Sequence, residues 1–487
     1  MAEKKVRFPA VVGPAYTLRA ERFDCQETIN YYLETDEIGT GKGNEPTVLM
    51  PTPGLIFGQT IGSGPIRCLY TQSNDNITYV VSGDQVFSIT GLNGSPVALS
   101  GNLTTLTGPV QAVDNGFVVM FVDGTNGYRT TIGSGVLTTI TEPDFYPTVC
   151  ITWQDTYFIG VQKGTQGFFI SDGTNAGTFG PENLGYAEGN PDILVAGISN
   201  NRQLYLHGTK STETFYDSGS GTANPFQRQD GRQSQVGIAA AQSLVILQET
   251  LFWLGSNAQG GGIVYTLNNG MPTRVSTHAV EFSIQSVGAI SQATAFSYQM
   301  EGHYFYCLNV LGLNFTWVFD MTTSQWHKRQ SDRGNGIKTQ WIAQTHAVLN
   351  GVHIVGDYQN GNIYALDLNT HTENGLPIYR TRVFPHHSDN LNRVAYKLLE
   401  VDFQFGVGLP GPGFGDNPKV ALYCSKDGGQ TWGNARYATL GRIGQYNWRA
   451  RWGPLGSSRD MVFKIVVSEP VRVVMLSGYI DAEDYTN

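Results

Sequence analysis

Residues 302–328 read GHYFYCLNVLGLNFTWVFDMTTSQWHK, two aromatic and apolar runs divided by Gly312, Leu313 and Asn314. That is the composition of a strand, a turn that needs positive φ, and a second strand. Six other stretches share the form: ITYVVSGDQVFSIT (77–90), GFVVMFVDGTNGYRTTI (116–132), DTYFIGVQKGTQGFFISDG (155–173), RQLYLHGTKSTETFYDSG (202–219), TLFWLGSNAQGGGIVYTLNNG (250–270) and GVHIVGDYQNGNIYALDLN (351–369). Successive hairpins begin roughly 40 to 50 residues apart, the period of a four-stranded propeller blade. One small sheet cannot bury both faces, whereas blades packed around an axis cover each other. The expected fold is therefore all-β, with a degenerate β-propeller-like core of about six or seven blades. No W-D or kelch signature recurs, and a pair of β-sandwiches is the rival arrangement.

Two regions fall outside the period. Residues 1–60, with RFDCQETINYYLETDEIGTGKGNEPTVLMPTPGL at 22–55, read as an extended N-terminal arm carrying a Gly-rich loop at 39–44. The propeller-like domain is expected over 61–375. Beyond it, LLEVDFQF (398–405), KVALYCS (419–425), DMVFKIVVSE (460–469) and VRVVMLSGYIDAE (471–483) predict a C-terminal β-sandwich-like platform over 376–487.

Composition agrees with a turn-rich β chain. The 487 residues include 59 Gly, 24 Tyr and 24 Phe, and only 15% are charged, against roughly 25% in typical soluble domains. Disordered chains need many charges and few aromatics, and the glycines lack the three-residue period of collagen. A net charge of −9 argues against a surface built to coat duplex DNA, which would be basic. Cys25, Cys68, Cys150, Cys307 and Cys424 form no C-x-x-C pair, so buried free thiols of a chain made in a reducing compartment are expected. Pro9, Gly13 and Pro14 interrupt any apolar run that could act as a signal peptide, and no stretch reaches the length of a membrane span.

The search for catalytic chemistry yields no catalytic residue, cofactor or metal site. The G-x-G-x-x-G at Gly406, Gly408 and Gly411 lies among Pro410, Pro412 and Pro418; these forbid the helix that a dinucleotide fingerprint must open, leaving a β-loop. His386 and His387 are adjacent, point to opposite faces if the segment is extended, and read as solvated loop residues. Asp123–Gly127 and Asp172–Asn175 are turn formers that need no calcium. Forty carboxylates offer many accidental pairs, and only their spacing in the fold would single out a glycosidase pair.

Two features are more specific. Ser425, Asp427, Gly429 and Trp432 lie in SKDGGQTW, which resembles the Asp-box of sialidases and other β-proteins; the resemblance implies a braced hairpin remote from any catalytic residue. A glycan-binding or glycan-hydrolysing propeller is the alternative function it keeps open. Downstream, Arg436, Arg442 and Arg451 are interleaved with Tyr446, Trp448 and Trp452. Such a mixture can stack on nucleic acid, but Arg, Tyr and Trp are also what protein interfaces favour, and an interface is the preferred reading.

Three segments together resemble one family. RFDCQETINYY (22–32), followed by Lys42 and LMPTPGL (49–55), is similar to the N-terminus of the tail hub or nozzle proteins of short-tailed bacteriophages, also called tail accessory factors or packaged-DNA stabilisation proteins. STETFYDSGSGTANPFQRQDGRQSQVGIAA (211–240) and SKDGGQTWGNARYATLGRIGQYNWRARWGPLGSSRDMVFKIVVSEPVRVVMLSG (425–478) match it in the same order; Gly453, Arg459 and Phe463 fit only loosely. The resemblance implies a non-enzymatic virion tail protein made in the host cytoplasm. It further implies a homo-hexamer below the portal-adaptor complex that retains packaged DNA, conducts double-stranded DNA without reading its sequence, and carries a tail needle or fibres.

Overall fold

A computed structural model describes residues 6–38, 46–73, 77–174, 176–181, 183–220, 223–334 and 336–484; the Gly-rich loop at 39–44 with Lys42, and Asn175, lie outside them. The strand Val118–Val122 shows why this sequence builds blades. All five residues of VVMFV are buried. Side chains alternate across a strand, so Val119 and Phe121 join Tyr79, Val81 and Leu99 in one apolar cluster. Val118, Met120 and Val122 join Ile151, Phe158 and Phe169 in another. A strand covered on both faces requires an unbroken apolar run, and the two clusters belong to the blades on either side.

Seven blades result, and each quoted hairpin supplies the two middle strands of one. The first comprises Ile66–Thr71, Thr78–Ser82, Gln85–Ile89 and Val97–Asn102. The sixth comprises Thr294–Met300, His303–Asn309, Thr316–Asp320 and Gln325–Asp332. Each blade packs on the next in chain order, and Ala343–Leu349 of the seventh returns to Ile66–Thr71 of the first. The outer strand of the seventh blade comes from the other end of the chain. Gly54–Thr60 pairs antiparallel with Asn362–Asp367, Leu55 opposite Leu366. Position 54 accepts only glycine, since a Cβ there would lie 2.3 Å from the Thr370 carbonyl oxygen.

The remaining strands form the sandwich. One sheet runs Tyr31–Thr35, Thr47–Pro51, Met475–Asp484, Val394–Phe403 and Ala450–Trp452. The other contains Arg380–Val383, Val462–Val467, Lys419–Ser425 and Arg436–Thr439, and Cys25–Ile29 joins it to the sixth blade through a parallel contact of Ile29 with Lys328. Residues of the expected N-terminal arm thus enter both sandwich sheets and the propeller. Phe8, Tyr31, Leu33 and Leu49 share one buried cluster with Leu399, Val401, Phe463 and Ile465. Among the described residues the single α-helix is His278–Gln285, capped by Thr277, which accepts from the Val280 amide. Cys25, Cys68, Cys150 and Cys307 are buried, Cys424 is half-buried, and all five are free thiols. No helix among the described residues is long and apolar enough to cross a membrane.

A buried imidazole clasps the sandwich to the sixth blade. His303, with a side chain 3% exposed, places Nδ1 at 2.7 Å from Asp320 of its own blade and Nε2 at 2.9 Å from Glu34 of the sandwich. Burial opposes a charge on the ring, but the Asp320 and Glu34 carboxylates outweigh it and raise the imidazole to about 9. A folded-state value above the ordinary ~6.5 gives stability that is complete below pH ~6.5 and is lost as pH climbs through about 9. Melting midpoints taken from pH 6 to 10 should therefore fall more steeply for the native chain than for His303→Gln. Parallel curves would dismiss the clasp.

Candidate interaction surface

The blades surround a cavity of about 1090 Å³, lined by residues of the first, fourth, fifth, sixth and seventh blades and of the loops that lead into the second and third, among them Arg67, Thr107, Gln242, Gln292, Gln344 and Tyr358. A second cavity of about 180 Å³ shares Arg67, Gln242 and Gln344 with it. Among the described residues Arg67 is the only charged one lining the larger cavity, and its guanidinium is fully engaged. Nε donates to the Gly108 carbonyl at 2.6 Å, Nη1 to Gly83 and Thr105 at 2.7 and 2.6 Å, and Nη2 to Thr105 Oγ1 and the Thr107 carbonyl at 2.8 and 3.0 Å. Among the described lining residues there is no carboxylate, histidine or cysteine. This cavity therefore presents neither the acid pair of a glycosidase nor a nucleophile with its base.

One constellation has the composition of a nucleophilic triad. Cys25 Sγ lies 3.5 Å from His386 Nε2, and His386 Nδ1 lies 2.9 Å from Asp460. Its details remove the chemistry. His386 Nε2 is also 3.0 Å from the Glu21 carbonyl oxygen, which competes with the thiol for that nitrogen. Burial, followed by the negative charges of Asp24, Glu27, Asp460 and Glu21, pushes the Cys25 thiol up to about 12, the opposite of activation. The expectation that His386 and His387 are solvated is corrected here. The His386 side chain is 13% exposed and holds Asp460, and His387 stacks on Phe8 at 5.4 Å with Nδ1 at 3.2 Å from the Tyr396 hydroxyl. Both are drawn inward because the N-terminal residues pack over the segment that sequence reading treats as an open loop.

The hairpin at 425–432 packs against the same N-terminal turn. Ser425 Oγ donates to Asp427 Oδ1 at 2.6 Å and accepts from the Gly429 amide at 2.9 Å. Asp427 accepts from the Thr431 amide at 2.9 Å. Hydrogen bonds from Ser425, then Thr431, hold its carboxyl well below the usual range. Gly429 sits with φ +93, and a Cβ there would approach Cys25 Sγ at 3.1 Å. Trp432 packs with Cys25, Val383 and Val462, and Lys464 Nζ stands 4.0 Å over its ring. The motif is spent on bracing a turn.

The Arg and aromatic stretch divides. Trp452 is buried, 4% exposed, and donates Nε1 to the Arg436 carbonyl at 2.9 Å; it is part of the sandwich core. Arg436, Arg442 and Arg451 are exposed. Arg436 bonds the Pro454 carbonyl, Arg442 lies 4.0 Å from Asp416, and Arg451 donates to Glu400 at 2.9 Å. Tyr446 is 73% and Trp448 42% exposed; Tyr446 lies over Gly406, where a Cβ would be 2.6 Å from its ring. Phe414 and Ile443, 63% and 58% exposed, belong to this loop-rich side of the platform and were not singled out by sequence. Phe414 stands between Gly413 and Gly415 and Ile443 between Arg442 and Gly444, so no strand period marked them. Large exposed aromatics backed by ordered arginines are the makings of a protein interface. Among the described residues no group of three or more His, Cys, Asp or Glu is placed to hold a metal.

Comparison with known proteins separates the two parts. A family model described as "Bacteriophage P22 Gp10, beta-propeller" matches residues 7–371, and one described as "Bacteriophage P22 Gp10, beta-sandwich" matches residues 380–483. No curated protein sequence matches the chain. Similar solved structures include the Neurospora crassa Pan2 WD40 domain, at 12% identity and TM-score 0.43, covering 65% of this chain and 94% of that one. Another is the extracellular domain of the putative one-component system BT4673 from B. thetaiotaomicron, at 10% identity and TM-score 0.42, covering 81% of this chain and 48% of that one.

Proposed function

This chain belongs to the bacteriophage P22 Gp10 family through both its propeller and its sandwich, and from that premise we propose that it forms a hexameric tube in the tail of a short-tailed phage. Membership makes it a non-catalytic structural protein with a role in tail stabilisation and DNA retention. In the proposed assembly six copies sit below the portal-adaptor complex, close the channel after packaging, conduct the double-stranded DNA at ejection, and carry the needle or fibres. We assign residues 61–375, closed by Gly54–Thr60, to the tube body, 376–487 to the platform, and the rest of 1–60 to the tie between them.

The observation that carries the assembly is the platform surface, where Tyr446, Trp448, Phe414 and Ile443 stay exposed on a chain with abundant burial elsewhere. Each copy carries −9, so a ring multiplies negative charge sixfold, and like-charge repulsion at the lumen would let DNA slide without adhering. The mass of the complex recovered on a portal-adaptor template tests this reading. Six copies per template are expected. A template that recruits single copies, or none, would reject it.

A further inference from the structure

The chamber between the blades opens to solvent. Thr107, Gly108, Ser291 and Gln292 on its lining are exposed, while Ile66, Ile238 and Ala293 are buried. It continues into the narrower cavity of about 180 Å³ past Arg67, Pro109, Gln242, Thr294 and Gln344, which line both. That continuation follows the chain along residues 67–70, 110–112, 294–296 and 344–346. The strands there, Ile66–Thr71, Gln111–Asp114, Thr294–Met300 and Ala343–Leu349, each stand at the end of a sheet, so one edge of each carries no ladder partner. At about 1090 Å³ the chamber exceeds the roughly 300–1,000 Å³ of sites for a single small molecule.

The lining selects as much by what it lacks as by what it holds. Its one charge among the described residues, Arg67, is spent on main-chain carbonyls and Thr105. A nucleic acid, held chiefly through contacts of phosphate with free cations, finds no grip there. Tyr358 is the one aromatic among the described lining residues, so no pair of ring faces can sandwich a sugar. The walls are aliphatic instead, with Ile66, Val149, Val195, Ile238 and Ile290, and such walls reward the burial of aliphatic side chains. Three side-chain amides stand between them. Gln242 donates Nε2 to the Val149 carbonyl at 2.8 Å, whereas the amides of Gln292 and Gln344 have no hydrogen-bond partner among the described residues. Each side-chain amide offers both a donor and an acceptor, the complement of a peptide group.

We propose that the chamber docks an extended peptide segment of a partner protein, uncharged and carrying branched aliphatic side chains, with Gln292 and Gln344 pairing to its main chain. The test uses the full chain alone, so its result is independent of ring formation. The chain is incubated with a pool of N-acetylated, C-amidated hexapeptides of mixed sequence, and those that co-elute with it in size exclusion are identified by mass spectrometry. The retained set should be rich in Val, Ile, Leu and neutral polar residues and poor in Asp, Glu, Lys and Arg. Gly288→Trp is the blocking variant: Gly288 lines the chamber, and a Cβ there meets nothing within 4 Å, so a large side chain has room without disturbing the fold. Recovery of the same peptides should fall about tenfold, the loss of roughly 1.4 kcal/mol of binding, at an unchanged melting midpoint. Gln344→Glu, which sets a charge where the two cavities join, should lower recovery as well. Undiminished recovery by both variants, a retained set rich in charged residues, or no retention at all would overturn the site, as would binding of maltohexaose in place of the peptides.

Discussion

Replacing Arg382 with alanine should cost the chain about 4 kcal/mol or more and leave much of it insoluble. The guanidinium donates to the carbonyls of Ala10 and Val11 at 2.8 Å and of Pro14 at 3.0 Å, to Thr28 Oγ1 at 3.0 Å, and to Gln26 Oε1 at 2.7 Å. All these acceptors lie on the N-terminal segment, and Arg382 itself lies on a sandwich strand that pairs with Cys25–Ile29. Loss of the side chain strands several buried carbonyls at once, each costing roughly 1–3 kcal/mol when left unpaired. Thermal unfolding of Arg382→Ala beside the exposed control Arg459→Ala measures the difference. A midpoint within a degree or two of the control would show that the N-terminal segment does not depend on this residue.

The second large effect falls on assembly. Tyr446→Glu together with Trp448→Glu should abolish formation of the multi-subunit ring while leaving the melting midpoint of the single chain nearly unchanged. Both side chains project into solvent, so charges there do not disturb the sandwich core. An interface that buries them loses on the order of 2 kcal/mol or more for each such anchor, and every subunit in a ring suffers the loss. Sedimentation of the variant with the portal-adaptor template provides the measurement. Undiminished recruitment would move the interface away from this face of the platform.

How far the sequence foretold this molecule follows from the range of each interaction. The seven hairpins are local, with strand, turn and strand within about 20 residues, and their strands are visible as apolar runs because both faces of a blade are covered. The segment VVMFV is unambiguous for that reason. The closing strand Gly54–Thr60 is a different case, since its partner Asn362–Asp367 lies some 300 residues away, and no periodicity links the two. The same holds for His303 with Glu34 and for Arg382 with Val11. Such contacts are fixed by the route of the chain between blade ring and sandwich, and a histidine or arginine in a strand looks alike whether it ends in water or in a buried clasp. At the platform, Trp452 was indistinguishable in sequence from Trp448, yet the first fills the core and the second faces out.

Electron-microscopy class averages of the assembly viewed down its axis distinguish a closed ring from separate subunits. Sixfold averages with the platform surfaces of neighbouring copies in contact and an acidic lumen are predicted. Isolated particles, a different symmetry, or a lumen lined by net positive charge would rule the hexameric tube out.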